Sequence, residues 1–403
     1  MNTETFHLPK QNVLRSEILL ILCVEELFLM MGLSFLGPII PKFVSELGAG
    51  AGEVGRVVGM AITAYGLARA AMDIPAGRLV WRFGRRSVLI AAPAMVAVSA
   101  LGCGLADAYW QLIAWRLLQG AGSAAFSVAA LIVLGEISTP SNRGLYISFF
   151  WSTFLVGATL GPSFGGFLGE YFGCRTPFFV YAGLAIIATG WGYLRLPETK
   201  PPAHHPAAKK QISADLIKNK DFLFISLVAL FNLLTIGGTQ TTLIPLLGYE
   251  RLQLSAGQVG LALTLVAIMQ LILTPLAGRL SDRLGRKLLI VPGGILTALG
   301  LVVFLLAEGY TFFLVSGLLL GFGRGLGGPV PTAYVADIAP QGNYENTLAA
   351  FRALSDLGWV IGPLLCGGLK DFYGIDFPFY LTAGLLALIV VLFGFFARET
   401  VKN

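Results

Sequence analysis

Ionisable side chains are scarce within the apolar stretches of this chain, and the few present could exchange protons, bind anions or hold one another. Glu25 and Glu26 stand together in one stretch, Arg116 and Arg324 stand alone in two others, and Arg69/Asp73 and Arg352/Asp356 form pairs four residues apart. A charge at the centre of a membrane-buried helix costs about 2.5 to 3.5 kcal/mol, so one that is kept there needs a partner or a task. Each i, i+4 pair can close a salt bridge on its own helix face, which suits a structural or gating part better than proton carriage. Glu25 and Glu26 have no cation within a turn of their helix. A carboxyl in that setting is the kind that couples to protons, so these two, with Arg116, are the expected proton-coupling groups. They lie about 100° apart around a helix. Glu25 shares a face with Phe28, Gly32 and Phe35, whose small and aromatic surface suits a substrate cavity, whereas Glu26 shares one with Leu29 and Leu33 and could meet Arg116. The competing reading of either glutamate is a bridge that only holds its helix in place. Arginine stays charged in proteins, so Arg116 and Arg324 each require a carboxylate, a carbonyl or an anionic ligand. Gln119, Gln240 and Gln270 are further polar candidates for a cavity, with Tyr65, Phe28, Trp151 and Phe231 as stacking surfaces.

The elements that must carry these groups follow from composition. With 56% hydrophobic and 12% charged residues and a mean hydropathy of +0.76, the chain has too little polar surface to cover a water-soluble globule. About 20 mostly apolar residues cross a bilayer. Such stretches run near 16–40, 56–79, 87–107, 110–135, 145–168 and 176–196, then near 222–247, 257–277, 288–307, 311–335, 348–369 and 377–397. The first is long, has no evident small-residue cleavage site and is read as a retained span. Two sets of six are also what an internal duplication predicts. At a shift of 201 positions Gly77-Arg78-Leu79-Val80-Trp81-Arg82-Phe83-Gly84-Arg85-Arg86 returns as Gly278-Arg279-Leu280-Ser281-Asp282-Arg283-Leu284-Gly285-Arg286-Lys287. The same shift carries Gly157 onto Gly358 and Gly161-Pro162 onto Gly362-Pro363. Parallel repeats in apolar sequence are a mark of transporters that rock two halves about a central site. The expected fold is all-α and integral to the membrane. It comprises a six-helix bundle over 1–199, a linker over 200–220 rich in proline and lysine, and a second six-helix bundle over 221–403.

Basic residues set the orientation, because short loops rich in Lys and Arg stay in the cytoplasm. They concentrate at Arg78–Arg86, Arg279–Lys287 and the linker, which puts both termini inside; only Lys42, Arg56, Arg175, Arg251 and Lys370 fall outside. The net charge of +6 is therefore mostly a topology signal, and no nucleic-acid partner is inferred from it. No G-x-x-x-x-G-K-[ST] phosphate loop occurs, the four cysteines are scattered without metal or redox spacing, and His7, His204 and His205 fall outside the spans. No cofactor, no metal and no enzymatic constellation is expected.

Four motifs resemble the major facilitator superfamily, and within it the twelve-helix drug:proton antiporters, over nearly the whole chain. The family's G-x-L-x-D-R-x-G-R-[RK] is matched in full from Gly278 to Lys287; in the first copy Trp81 replaces the acidic residue. Arg116, Gln119, Gly120 and Gly122 resemble its R-x-x-Q-G-x-G, and Gly157, Gly161, Pro162, Gly165 and Gly166 resemble the G-x-x-x-G-P-x-x-G-G of exporters. Gly32 to Pro38 with Pro41 resembles the end of helix 1 in the same exporters. The resemblance implies that helices 1, 4, 7 and 10 line a central cavity. It also implies that Gly77, Arg82, Gly84 and Arg85, with Asp282, Arg283, Gly285 and Arg286, latch an inward gate. Glu136 and Asp337 are the expected partners of Arg82 and Arg283, with a weaker latch at Trp81. Gly157, Gly161, Pro162, Gly362 and Pro363 are expected to form sliding or gating contacts, the other reading being static packing. The implied function is proton-coupled efflux of small amphipathic compounds by a monomer in the plasma (inner) membrane, its partners being the bilayer, protons and a small-molecule substrate. A proton-coupled carrier of an organic anion, metabolite or lipid-linked molecule, and a membrane sensor that transports nothing, are the alternatives.

Overall fold

The computed structural model describes residues 10–50, 52–138, 142–197, 219–328, 330–340 and 344–400. All but the last two residues of the expected 200–220 linker, with His7, His204 and His205, lie outside the described residues. Among the described residues twelve long helices account for the apolar stretches. The first six are α1 (Lys10–Glu46), α2 (Val54–Phe83), α3 (Arg85–Gly104), α4 (Tyr109–Ile137), α5 (Arg143–Phe172) and α6 (Thr176–Arg195). The second six are α7 (Lys220–Glu250), α8 (Ala256–Leu284), α9 (Lys287–Leu305), α10 (Tyr310–Ile338), α11 (Tyr344–Tyr373) and α12 (Asp376–Phe396). Every one is long and apolar enough to span, provided α2 counts as one span bent by 56° at the step into Pro75. Proline there removes a backbone donor, so the bend lies where the chain supplies its cause.

Three departures from the sequence reading bear on the site. The Arg-rich decapeptides are helical up to Phe83 and Leu284 rather than loops, and single glycines in left-handed backbone, Gly84 (φ 88°) and Gly285 (φ 106°), make the turns into α3 and α9. Glycine takes such angles without the strain that a side chain would meet. Helix α7 is wound as a π-helix from Thr235 to Leu243, where the Thr241 and Thr242 hydroxyls donate to the Gly237 carbonyl. Helix α10 runs in two segments, Tyr310–Gly327 and Val330–Ile338.

The halves repeat one packing scheme. In the first, α1 lies on α5, and α4 on α2 and α3; in the second, α7 lies on α11, and α10 on α8 and α9. The halves meet chiefly through α2 against α11 and α5 against α8. Large apolar side chains such as Leu194 and Phe395 are exposed on the outer surface, as a lipid-facing wall requires, and the protein is a multi-pass membrane protein.

Candidate functional site

A cavity of about 330 Å3 lies between the halves. Toward the end that carries the Arg-rich turns, here the basic end, it continues into a second section of about 370 Å3 that shares Leu155, Ile236, Gln270, Thr274 and Arg324 with it. Of the expected cavity residues, Tyr65, Arg116, Gln240, Gln270 and Arg324 line it. Gln119 stands one layer behind, accepting from Arg116 Nη1. The π-helical stretch places Ile236, Gln240 and Thr241 on the wall. Besides Tyr65, the aromatic walls are Phe154 and Trp359 in the central section and Phe351 in the basic-end section; Trp151 stacks edge-on against Phe154 at 5.4 Å, and neither Trp151 nor Phe231 lines the cavity.

The expected assignment of the two faces of α1 is reversed. Met30, Leu33, Ser34 and Gly37 line the cavity, so the face that continues toward the basic end through Glu26 is the cavity face. The Glu25, Phe28, Gly32 and Phe35 face is not. Gly32 lies under the Tyr181 ring of α6, Phe35 is buried against Gly165 of α5, and Glu25 Oε1 lies 2.6 Å from where a Cβ on Gly192 would stand. Glu25 is fully buried, and among the described residues neither of its oxygens has a hydrogen-bond partner. Glu26 is buried too, with Arg69, Cys23 and Tyr181 within electrostatic reach and no ion pair among the described residues.

A polar chain runs from Arg116 toward Glu26. Arg116 Nε donates to the Ala61 carbonyl at 3.2 Å, and its guanidinium lies 4.7 Å from the Tyr65 ring centroid. The Tyr65 hydroxyl donates to Ser123 Oγ (2.8 Å), which also accepts from Arg69 Nη1 (2.6 Å). Neither expected same-helix bridge forms. Arg69 reaches across to Ser123 and Ser127 of α4, leaving Asp73 exposed, while Arg352 and Asp356 are exposed on the cavity's basic-end section. A hydroxyl on a neighbouring helix outcompetes the i+4 carboxylate because the latter is in contact with water. Ser123 was not singled out from sequence. Its signal is positional, seven residues beyond Arg116 and hence on the same face of α4.

At the basic end the acidic partners are the expected ones, but the arginines they hold lie three residues further along the chain. Glu136 accepts from Arg85 (2.8 Å) and Asp337 from Arg286 (2.9 Å), whereas Arg82 and Arg283 are exposed. The glycine turn aims the residue just after it, Arg85 or Arg286, at the end of α4 or α10, and not the arginine in the last turn of the preceding helix. Arg286 also pairs with Asp282, and although partial burial works against its charge, hydrogen bonds to Asp337 and Asp282 hold its pKa above the ordinary value. Trp81, at the position equivalent to Asp282, offers Arg85 its ring face at 5.8 Å. All these partners belong to one half, so they brace a half rather than join the two.

The opposite end is closed by contacts between halves, and they come in repeat-related pairs. Asp371 at the end of α11 accepts from the backbone amides of Gly55 and Arg56 (3.0 and 2.6 Å) at the start of α2. Glu170, which the repeat shift carries onto Asp371, accepts from Ser255 Oγ and the Gly257 amide (2.7 and 2.9 Å) at the start of α8. Gly59 packs on the Pro363 carbonyl and Gly260 on the Pro162 carbonyl. Gly157, Gly161 and Gly362 pack α5 on α1 and α11 on α7 within the halves. Among the described residues no hydrogen bond joins the halves at the basic end, and added Cβ atoms on Gly77 or Gly278 would meet open space. The cavity thus opens toward the basic end.

Residues 23–250 and 225–403 match the Major Facilitator Superfamily, and the chain belongs to that family of membrane transporters rather than to any class of enzyme. It is 26% identical to a multi-drug resistance efflux pump PmrA homolog of Lactococcus lactis over 84% of each chain. It is 29% identical to the class H tetracycline resistance protein of Pasteurella multocida over 92% of this chain and 94% of that one. Among solved structures it resembles a bacterial homolog of the human lysosomal transporter Spinster in an inward-facing, occupied conformation. That match has a TM-score of 0.79 at 17% identity and covers 94% of this chain and 96% of the other, a likeness of fold.

Proposed function

We propose that this protein exports small amphipathic compounds across the plasma membrane in exchange for protons, by alternating exposure of the central cavity. The observation that carries the reading is the cavity itself, mostly apolar, lying between the halves, closed at one end by contacts between them and joined to Glu26 by the Arg116–Tyr65–Ser123–Arg69 chain. The basic end is the cytoplasmic one by the distribution of Lys and Arg, with both termini on that side. In this reading Glu26 carries the proton, and substrate in the cavity is felt at Arg116 and passed along the chain to Arg69. The efflux and resistance relatives support export of foreign compounds. The test is proton movement by purified protein in proteoliposomes under an imposed pH gradient, across a panel of lipophilic cations and organic anions. Substrate-dependent proton counterflow that the Glu26→Gln variant lacks is expected; no compound moving protons overturns the reading.

A further inference from the structure

Arg324 is a buried charge in the cavity wall that no described carboxylate neutralises. It sits on α10 with 2% of its surface exposed, and it borders both sections of the cavity. Among the described residues the only hydrogen bond of its side chain is a long one, from Nη2 to Thr235 Oγ1 at 3.4 Å, and its Nε has no partner. No carboxylate lies within ion-pair distance of it among the described residues. A guanidinium presents five donors in a planar fork, so a buried one with a single weak acceptor is short of partners as well as of countercharge.

The surroundings sharpen the point. The central section is lined by two arginines, Arg324 from one half and Arg116 from the other, and by no aspartate or glutamate. The acidic groups of the surrounding helices lie outside the central section. Glu26 stands beyond Met30 near Arg69, Glu25 faces α6, and Asp356 lies exposed in the basic-end section. Around the two cations the wall is apolar and aromatic, with Leu33, Ile62, Phe154, Leu263 and Trp359. A permanent cation entering this space would meet two like charges at low dielectric, whereas an oxyanion on an apolar body would supply what Arg324 lacks.

We infer that the substrate class is the amphipathic organic anion, a carboxylate or sulfonate on an apolar or aromatic body, with the oxyanion seated on Arg324 and the body against Phe154 and Trp359. The inference rests on the exporter reading only for the direction of transport; the binding site stands on the cavity's own charge. The probes are two dyes of one ring system, fluorescein as the anion and rhodamine 6G as the cation, so that the aromatic body is the same in both. Binding to the detergent-purified protein is followed by fluorescence anisotropy for wild type, Arg324→Gln and Arg324→Lys, with thermal melts to show that each variant is folded. Fluorescein is expected to bind more tightly than rhodamine 6G. Arg324→Gln should weaken fluorescein by roughly tenfold or more and leave rhodamine 6G unchanged or tighter, and Arg324→Lys should recover part of the loss. Equal affinity for the two dyes, or fluorescein binding indifferent to Arg324→Gln, overturns the inference. Displacement of fluorescein by added phosphatidylglycerol would keep the oxyanion site and assign its source to the bilayer. In proteoliposomes the two readings separate. Proton-driven movement of rhodamine 6G alone retains the exporter and sinks the anion site, whereas Arg324-dependent fluorescein binding that no gradient moves retains the site and sinks the exporter.

Discussion

Glu25 and Glu26 are neighbours in sequence with opposite surroundings, and the difference is a testable one. Glu26 continues the face of α1 that lines the cavity, with Arg69 within electrostatic reach, while Glu25 is fully buried toward Gly192 of α6 with both oxygens unpartnered among the described residues. Glu26→Gln should therefore reduce proton-driven transport by at least about tenfold, equivalent to about 1.4 kcal/mol, and Glu25→Gln should leave it within about twofold. Initial rates in proteoliposomes decide this, and the reverse order would move proton coupling to the α6 side. The sequence identified the pair because charge in an apolar span stands out, but it could not say which face met water. The rotation of α1 is set by Gly32 fitting under the Tyr181 ring, a contact 149 residues away in sequence. Gly32→Ala puts a methyl group into that ring and should lower stability by about 1 to 3 kcal/mol, read as a lower melting temperature in detergent. An unchanged melt would mean that α1 can rotate freely past α6. Arg324 was legible as a lone charge, while its want of a partner needed three dimensions.

Among the elements, the twelve spans and their repeat were readable because each leaves a continuous local signal, apolar length or a fixed shift of 201. The contacts between them were less so. Own-helix spacing suggested Arg69 with Asp73, yet the partner is Ser123 on α4, and the glycines that bring the halves together are Gly59, Gly166, Gly260 and Gly367 rather than the Gly157/Gly161 set. What the repeat does to those contacts is informative: Glu170 caps α8 of the other half and Asp371 caps α2 of the other half, a crossed pair of carboxylates on helix N-termini. An anion at a helix N-terminus contributes about 0.3 to 1 kcal/mol. Neutralising both in Glu170→Gln/Asp371→Asn keeps acceptors in place and removes the charge. It should shift the ratio of closed to open at that end by roughly three- to thirtyfold. Distances between spin labels at the ends of α5 and α8 report it; an unaltered distribution would make the caps incidental to gating.

For the molecule as a whole, the arrangement of contacts implies a motion. The halves are joined by hydrogen bonds at the closed end and by none at the basic end among the described residues, while the ion pairs of the basic end stay within one half each. A body built this way can tilt about the crossings of α2 with α11 and α5 with α8, breaking one set of contacts without unfolding either bundle. Ser163 and Thr264 mark one such crossing, with their hydroxyls 2.8 Å apart, close enough that cysteines there should join under mild oxidation. The four natural cysteines are buried and free, and burial pushes the Cys174 thiol at the α5–α6 turn up to about 12, so they should not compete for the oxidant. Once cross-linked, Ser163→Cys/Thr264→Cys should still bind substrate from the basic end and should transport none, with recovery on reduction. Separate binding and transport assays before and after dithiothreitol check both halves of that statement. Transport at the wild-type rate through the cross-linked protein would mean that substrate crosses without this interface parting, and the two-half rocking reading would have to be given up.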